Sequence, residues 1–115
     1  MPKTPAPKEL QIKDLVKGKG ATAKAGSTIS VNYSGVAYST GQEFDNSYDR
    51  GQPFDLALGA GQVIPGWDQG IEGMKVGGRR QLTIPPDLAY GVEGQPPDIK
   101  GNETLIFVID LLGVQ

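Results

Sequence analysis

Polar and apolar residues alternate most cleanly over Thr28–Tyr38. Ile29, Val31, Tyr33, Gly35 and Ala37 fall on one side, and Ser30, Asn32 and Ser34 on the other. A period of two sends successive side chains to opposite faces, so this segment predicts a half-buried strand. Glu9–Val16 alternates as well, with Leu10 and Ile12 opposite Gln11 and Lys13, and Lys17-Gly-Lys-Gly20 ends it. Ser39-Thr-Gly-Gln42 turns the chain into a short segment carrying Phe44 and Asp45. Phe54, Leu56 and Leu58 mark another half-buried strand, and Arg80–Ile84 a further one, stopped by Pro85-Pro86. Thr104–Leu112 is apolar on both faces apart from Asp110, the pattern of a strand in the middle of a sheet.

One segment keeps a different period. Trp67, Ile71 and Met74 recur at i, i+4 and i+7 and so share one face of a short helix. Pro65 suits its first turn, and Gly77-Gly78 its end. Gly66, Gly70, Gly73 and Gly77 run beside the apolar stripe. Interior glycine costs a helix about 1 kcal/mol against alanine, so packing of the Trp/Ile/Met face must hold this element. The glycines then admit close approach of neighbouring backbone. Trp67 has two readings at this point, a core anchor or the floor of an apolar pocket.

Five or six strands and one helix, without a βαβ rhythm, predict an α+β fold in which an antiparallel sheet curls around the helix. At 115 residues the chain makes one domain, which we place at residues 9–115 after a Pro- and Lys-rich tail at residues 1–8. Pro85 to Glu103 is long for a connection within such a domain, and it carries four prolines and Tyr90 before Gly91. Connections of that length are often functional, so it reads as a flap over a site.

Composition removes most kinds of chemistry. The chain has no cysteine and no histidine, which excludes Cys nucleophiles, Ser-His-Asp triads and imidazole acid–base catalysis. We expect no metal site and no cofactor. No apolar run approaches the ~20 residues of a membrane span. The net charge of −2 gives no general attraction to nucleic acid or membrane. Residues 1–24 carry six Lys against Glu9 and Asp14, or +4, while the remainder has five basic and eleven acidic residues, or −6. A solvated face accounts for that split. The first eight residues lack the apolar core of a signal peptide, so we expect a cytoplasmic protein, with an exported domain whose signal lies outside these residues as the alternative.

Familiar motifs fail on inspection. Gly59-Ala-Gly61 follows a strand as a dinucleotide-binding turn would, but Ile64 occupies the third glycine position. Asp45-Asn-Ser-Tyr-Asp49 starts like a calcium loop, yet Arg50 stands where glycine is needed and Leu56 where glutamate is needed. Asp45, Asp49 and Asp55 have no spacing that supports a glycosidase pair. What remains is an apolar set, Tyr33, Phe44, Phe54, Val63, Ile64, Trp67, Tyr90, Ile99 and Phe107, with Asp45 and Arg50 as its chief polar neighbours. Apolar walls with a few aimed polar groups suit a small cyclic or prolyl ligand.

The order of motifs is specific. Val31-Asn-Tyr-Ser-Gly35, Phe44-Asp-Asn-Ser47, Val63-Ile-Pro-Gly-Trp67, Leu82-Thr-Ile-Pro-Pro-Asp-Leu-Ala-Tyr-Gly91 and Thr104–Leu112 together resemble the FKBP-type peptidyl-prolyl isomerases, the macrolide-binding immunophilins. The resemblance runs from about Leu10 to Val114. It implies a half-barrel antiparallel sheet around one helix. It also implies a catalytic set of Asp45, Tyr90, Trp67 and Phe107, and a substrate-binding set of Tyr33, Phe44, Arg50, Phe54, Val63, Ile64 and Ile99. In that scheme Trp67 floors the pocket and Tyr33, Phe44, Phe54, Ile64 and Phe107 wall it. The Ile64 N–H and the Tyr90 hydroxyl bind substrate carbonyls, and Tyr33 and Arg50 hold Asp45 at the rim. The chain departs from the family where Gln95 replaces a frequent His, and where Ile99-Lys-Gly101 replaces a frequent Ile-Pro-Pro.

The activity so implied is rotation of X-Pro bonds in unfolded or flexible polypeptides, inhibited by macrolides. A non-catalytic module that docks a Pro-containing partner is the competing reading, and a holdase finds no inserted apolar domain to support it. With no element obviously left unpaired, a monomer is expected.

Overall fold

The computed structural model describes residues 9–47, 51–61, 63–91, 94, 99 and 101–114. Strands β1 (Gln11–Val16), β2 (Thr28–Ala37), β3 (Glu43–Asn46) and β4 (Phe54–Ala57) precede helix α1 (Pro65–Ile71). Strand β5 (Arg79–Ile84), a 3-10 turn over Pro86–Leu88 and strand β6 (Leu105–Val114) follow. The six strands form one open antiparallel sheet in the order β1-β5-β6-β2-β3, with β4 also pairing with β2.

The sheet is organised by the long central pair, β2 and β6. Ile29, Val31, Tyr33 and Ala37 of β2 are buried beside Leu105, Phe107, Ile109 and Leu111 of β6, as the alternation in β2 predicts. Strand β6 is indeed central, flanked by β2 and β5. Its outward residues Ile106 and Val108 are only half-buried and Leu112 is exposed, so β6 is fully covered on its inner face alone. Strand β1 departs from expectation. Every residue in it is exposed, Ile12 included; it is an edge strand paired only with β5.

The far edge of β2 is shared. Its first half, Thr28–Val31, pairs with β4, and its second half, Ser34–Val36, with β3. Phe54 and Asp45 therefore stand on either side of Tyr33 along one sheet edge, and an opening is left between their strands.

Helix α1 begins with Pro65 at its first position, and the Ile64 carbonyl accepts from Trp67 N at 2.9 Å. It ends at Ile71, followed by Gly73 at φ 93°, earlier than the stop expected at Gly77-Gly78. Met74 is buried in the core all the same, though it no longer belongs to the helix. Within the glycine stripe, Gly66 and Gly70 face side chains, Gly73 faces open space, and a Cβ on Gly77 would lie 4.0 Å from the Gly18 backbone. A Cβ on Gly66 would stand 2.4 Å from Ile84 Cγ2, and one on Gly70 2.7 Å from Leu82 Cδ1. These glycines let the helix lie directly on β5. Arg80, from β5, donates to the Gly70 and Glu72 carbonyls at 2.9 and 3.2 Å and pairs with Asp14 at 2.6 Å. That guanidinium satisfies carbonyls left free at the helix end.

Candidate functional site: an aromatic cavity floored by Trp67

The inner face of the sheet and the start of α1 enclose a cavity of about 430 Å³, lined by Tyr33, Phe44, Asp45, Phe54, Gly61, Val63, Ile64, Trp67, Tyr90 and Phe107. Nine of the eleven residues assigned from the sequence are in that lining. Ile99 is not: it is buried at 5% exposure within the core. Arg50, and with it the expected contact to Asp45, lies outside the described residues, as do Gln95 and its neighbours to Asp98.

Trp67 sits in the first turn of α1 and is 4% exposed. Its indole meets the ring of Tyr33 at 4.9 Å between centroids and that of Phe107 at 5.2 Å, in both cases nearly perpendicular. Phe54 meets Tyr33 and Trp67 edge-on at 6.2 Å, and Phe44 meets Phe107 at 5.6 Å and 89°. Edge-to-face packing aims the positive rim of one ring at the negative face of the next, which fixes each plane. The buried Trp67 Nε1 has no acceptor among the described residues. The floor of the cavity is thus a set of packed rings with one indole N–H among them.

Polar groups stand at the rim. The Tyr33 hydroxyl donates to Asp45 Oδ2 at 2.5 Å, and Asn46 N donates to Asp45 Oδ1 at 2.8 Å. Tyr90 follows the 3-10 turn and is 36% exposed. Burial raises its phenol above the usual value of 10.0, and the charge on Asp45 raises it further, so it remains a hydrogen-bond donor at neutral pH. Among the described residues nothing accepts from the Ile64 N–H at the mouth of the helix. Two donors and one oriented carboxylate ring an apolar floor. Apart from the Tyr33–Asp45 pair, the described lining is aromatic and aliphatic, an arrangement suited to binding, desolvation and hydrogen bonding.

Sequence reasoning missed two residues that shape this site. Asp68, in the first turn of α1, accepts from Gly59 N at 2.8 Å and Gly61 N at 3.2 Å, and so ties down the loop that carries Val63 and Ile64. An acidic residue in a first turn was the available signal, but its partners lie outside the helix. Ser47 is fully buried and bonded to Tyr33. It was visible only as the last letter of a motif.

The fold and the cavity define a class of protein that binds a compact apolar group without covalent chemistry, on an open antiparallel sheet wrapped around one helix. The FKBP-type peptidyl-prolyl cis-trans isomerase family model matches residues 19–112. The FK506-binding protein of Streptomyces anulatus is 60% identical over 109 residues, covering 94% of this chain and 88% of the relative. A probable FK506-binding protein of Corynebacterium glutamicum is 52% identical over 97% of this chain and 92% of its own. The crystal structure of AtFKBP13 superposes with a TM-score of 0.86 at 39% identity, covering 96% of both chains. The chain belongs to the FKBP-type peptidyl-prolyl cis-trans isomerase family, and its activity is that of the family.

Proposed function

We propose that the Trp67 cavity takes the proline ring of X-Pro segments in unfolded or flexible polypeptides and accelerates rotation about the preceding peptide bond. One observation carries this reading. The floor of the cavity is an indole fixed between perpendicular rings, and Asp45 and Tyr90 stand in the same lining.

Amide rotation has a barrier of ~18–20 kcal/mol because of partial C–N double-bond character. For X-Pro bonds this means tens to hundreds of seconds at about 25 °C. Lowering the barrier by ~5–6 kcal/mol would speed rotation about ten-thousandfold. The planar amide owes its resonance to a charge-separated form that water stabilises, and the twisted transition state has lost much of that polarity. An apolar cavity therefore disfavours the planar state more than the twisted one, which is differential binding.

Trp67 and Phe107 supply the apolar surroundings and hold the ring. Tyr33, Phe44, Phe54, Val63 and Ile64 close the walls. The Ile64 N–H and the Tyr90 hydroxyl fix substrate carbonyls on either side of the rotating bond, and Asp45 polarises the rim. Macrolides compete for the same surface, a reading supported by relatives named for binding FK506.

Refolding of a substrate protein limited by proline isomerisation tests the reading. Catalytic amounts of the chain should accelerate it, and a pocket-filling macrolide should abolish the acceleration. Quenching of Trp67 by that macrolide without any acceleration would replace catalysis with docking of a Pro-containing partner.

A further inference from the structure

Among the inward positions of β2, Gly35 stands alone in having no side chain. Ile29, Val31, Tyr33 and Ala37 in the same row are all buried. Glycine in a strand interior weakens the strand and often marks a place where another group comes close. Its conformation is not the reason here, since Gly35 is absent from the residues with positive φ. Space is the reason. A Cβ at this position would lie 2.7 Å from Phe107 Cε1, 3.0 Å from Phe107 Cδ1 and 2.8 Å from Phe44 Cζ.

The two rings belong to different strands, and Gly35 is bonded between them. Its register partners are Phe107 on β6 and Asp45 on β3, the residue after Phe44. Phe44 and Phe107 meet over the bare backbone at 5.6 Å and 89°. Phe107 is already packed edge-on against Trp67, at 5.2 Å, and lies near Tyr33, at 6.2 Å. Both rings line the cavity, so displacing either from Gly35 shifts a cavity wall.

We propose that Gly35 is a positioning residue for the isomerase site: its missing side chain seats Phe44 and Phe107 and so sets the width of the proline pocket. The proposal rests on the Trp67 cavity being the isomerase site. Gly35 touches no substrate and acts through the two rings.

The test is a coupling experiment on a short X-Pro peptide, with Gly35→Ala made alone and in the Phe44→Leu and Phe107→Leu backgrounds. Alone, the alanine should lower kcat/KM about tenfold, chiefly through KM, as expected when a well-packed site is overfilled. Each leucine makes room, so the further loss caused by the alanine should shrink at least threefold in both backgrounds. Equal losses in all backgrounds, or unchanged kcat/KM in a folded Gly35→Ala protein, would overturn the proposal. If Gly35→Ala does not fold, the same alanine in a Phe44→Leu/Phe107→Leu protein is expected to fold. Failure there as well would overturn the proposal, because it would assign Gly35 to strand pairing. Activity of the unaltered chain is recorded in parallel. An inactive parent rejects the function itself, whereas an active parent with uncoupled variants rejects only the role of Gly35.

Discussion

Ser47 completes the edge of β2 at Tyr33, where neither neighbouring strand reaches. Its N–H donates to the Tyr33 carbonyl at 2.9 Å, and the Tyr33 N–H donates to Ser47 Oγ at 2.8 Å. The hydroxyl in turn donates to Asn32 Oδ1 at 2.9 Å. One residue thus satisfies both backbone groups of Tyr33 in the gap between β3 and β4, at 0% exposure. The gap is what lets Asp45 and Phe54 approach the cavity from opposite sides, and Ser47 is what makes it tolerable. Buried backbone groups without partners are rare for energetic reasons.

Ser47→Ala leaves the Tyr33 N–H without its acceptor. Loss of a partner from a buried donor costs about 1–3 kcal/mol. We expect a lower midpoint in denaturant, with reduced kcat/KM in the folded fraction because Tyr33 both walls the cavity and holds Asp45. Stability and activity both equal to those of the parent would show that Tyr33 is held by other means.

Asp45 is held by the Tyr33 hydroxyl and the Asn46 N–H, and it pairs with Gly35 at the sheet edge. Asp45→Val keeps a residue suited to a strand and removes the rim charge. Activity should fall severalfold while unfolding remains cooperative. A broad, non-cooperative transition in the variant would make Asp45 a structural residue instead.

Tyr90→Phe removes one rim donor. A hydrogen bond of similar strength in the planar and twisted states improves binding without speeding rotation. The substitution should therefore raise KM more than it lowers kcat; the opposite split would give the hydroxyl a role in the transition state. Its pH dependence follows from the raised phenol. Below the usual value of 10.0 Tyr90 is protonated in the folded and unfolded chain alike, so it adds no pH dependence there. Above it the unfolded chain loses the proton first, and stability falls as pH rises through the folded value. The ratio of parent to variant kcat/KM should be flat from about pH 6.5 to 9.5; a decline inside that range counts against a raised phenol.

Gly66→Ala sets two effects against each other. Helix propensity favours alanine by about 1 kcal/mol. The new Cβ would stand 2.4 Å from Cγ2 of Ile84, a β-branched side chain with little freedom to rotate away. Overpacking typically costs about 1–3 kcal/mol, so the packing loss wins. Thermal unfolding should show a lower Tm, and a raised one would mean that α1 shifts off β5 without penalty.

Several features are legible in the amino-acid sequence by itself. The inner row of β2, the central place of β6, the proline start of α1 and the apolar set around Trp67 follow from periods of two and 3.6 and from local turn chemistry. The absence of Cys and His removes thiol nucleophiles and imidazole acid–base chemistry. Only the tertiary structure decided the rest. The helix stops at Ile71 and not at Gly77, Ile99 enters the core and not the cavity, and β1 stays exposed despite its alternation. Ser47, Asp68 and Gly35 matter through atoms 9 to 72 positions away in sequence, namely the Tyr33 backbone, the Gly59 amide and the Phe107 ring. Periodicity reports which face a residue turns toward. Partners so far along the chain are chosen by strand register and packing, which exist only once the sheet has closed on the helix.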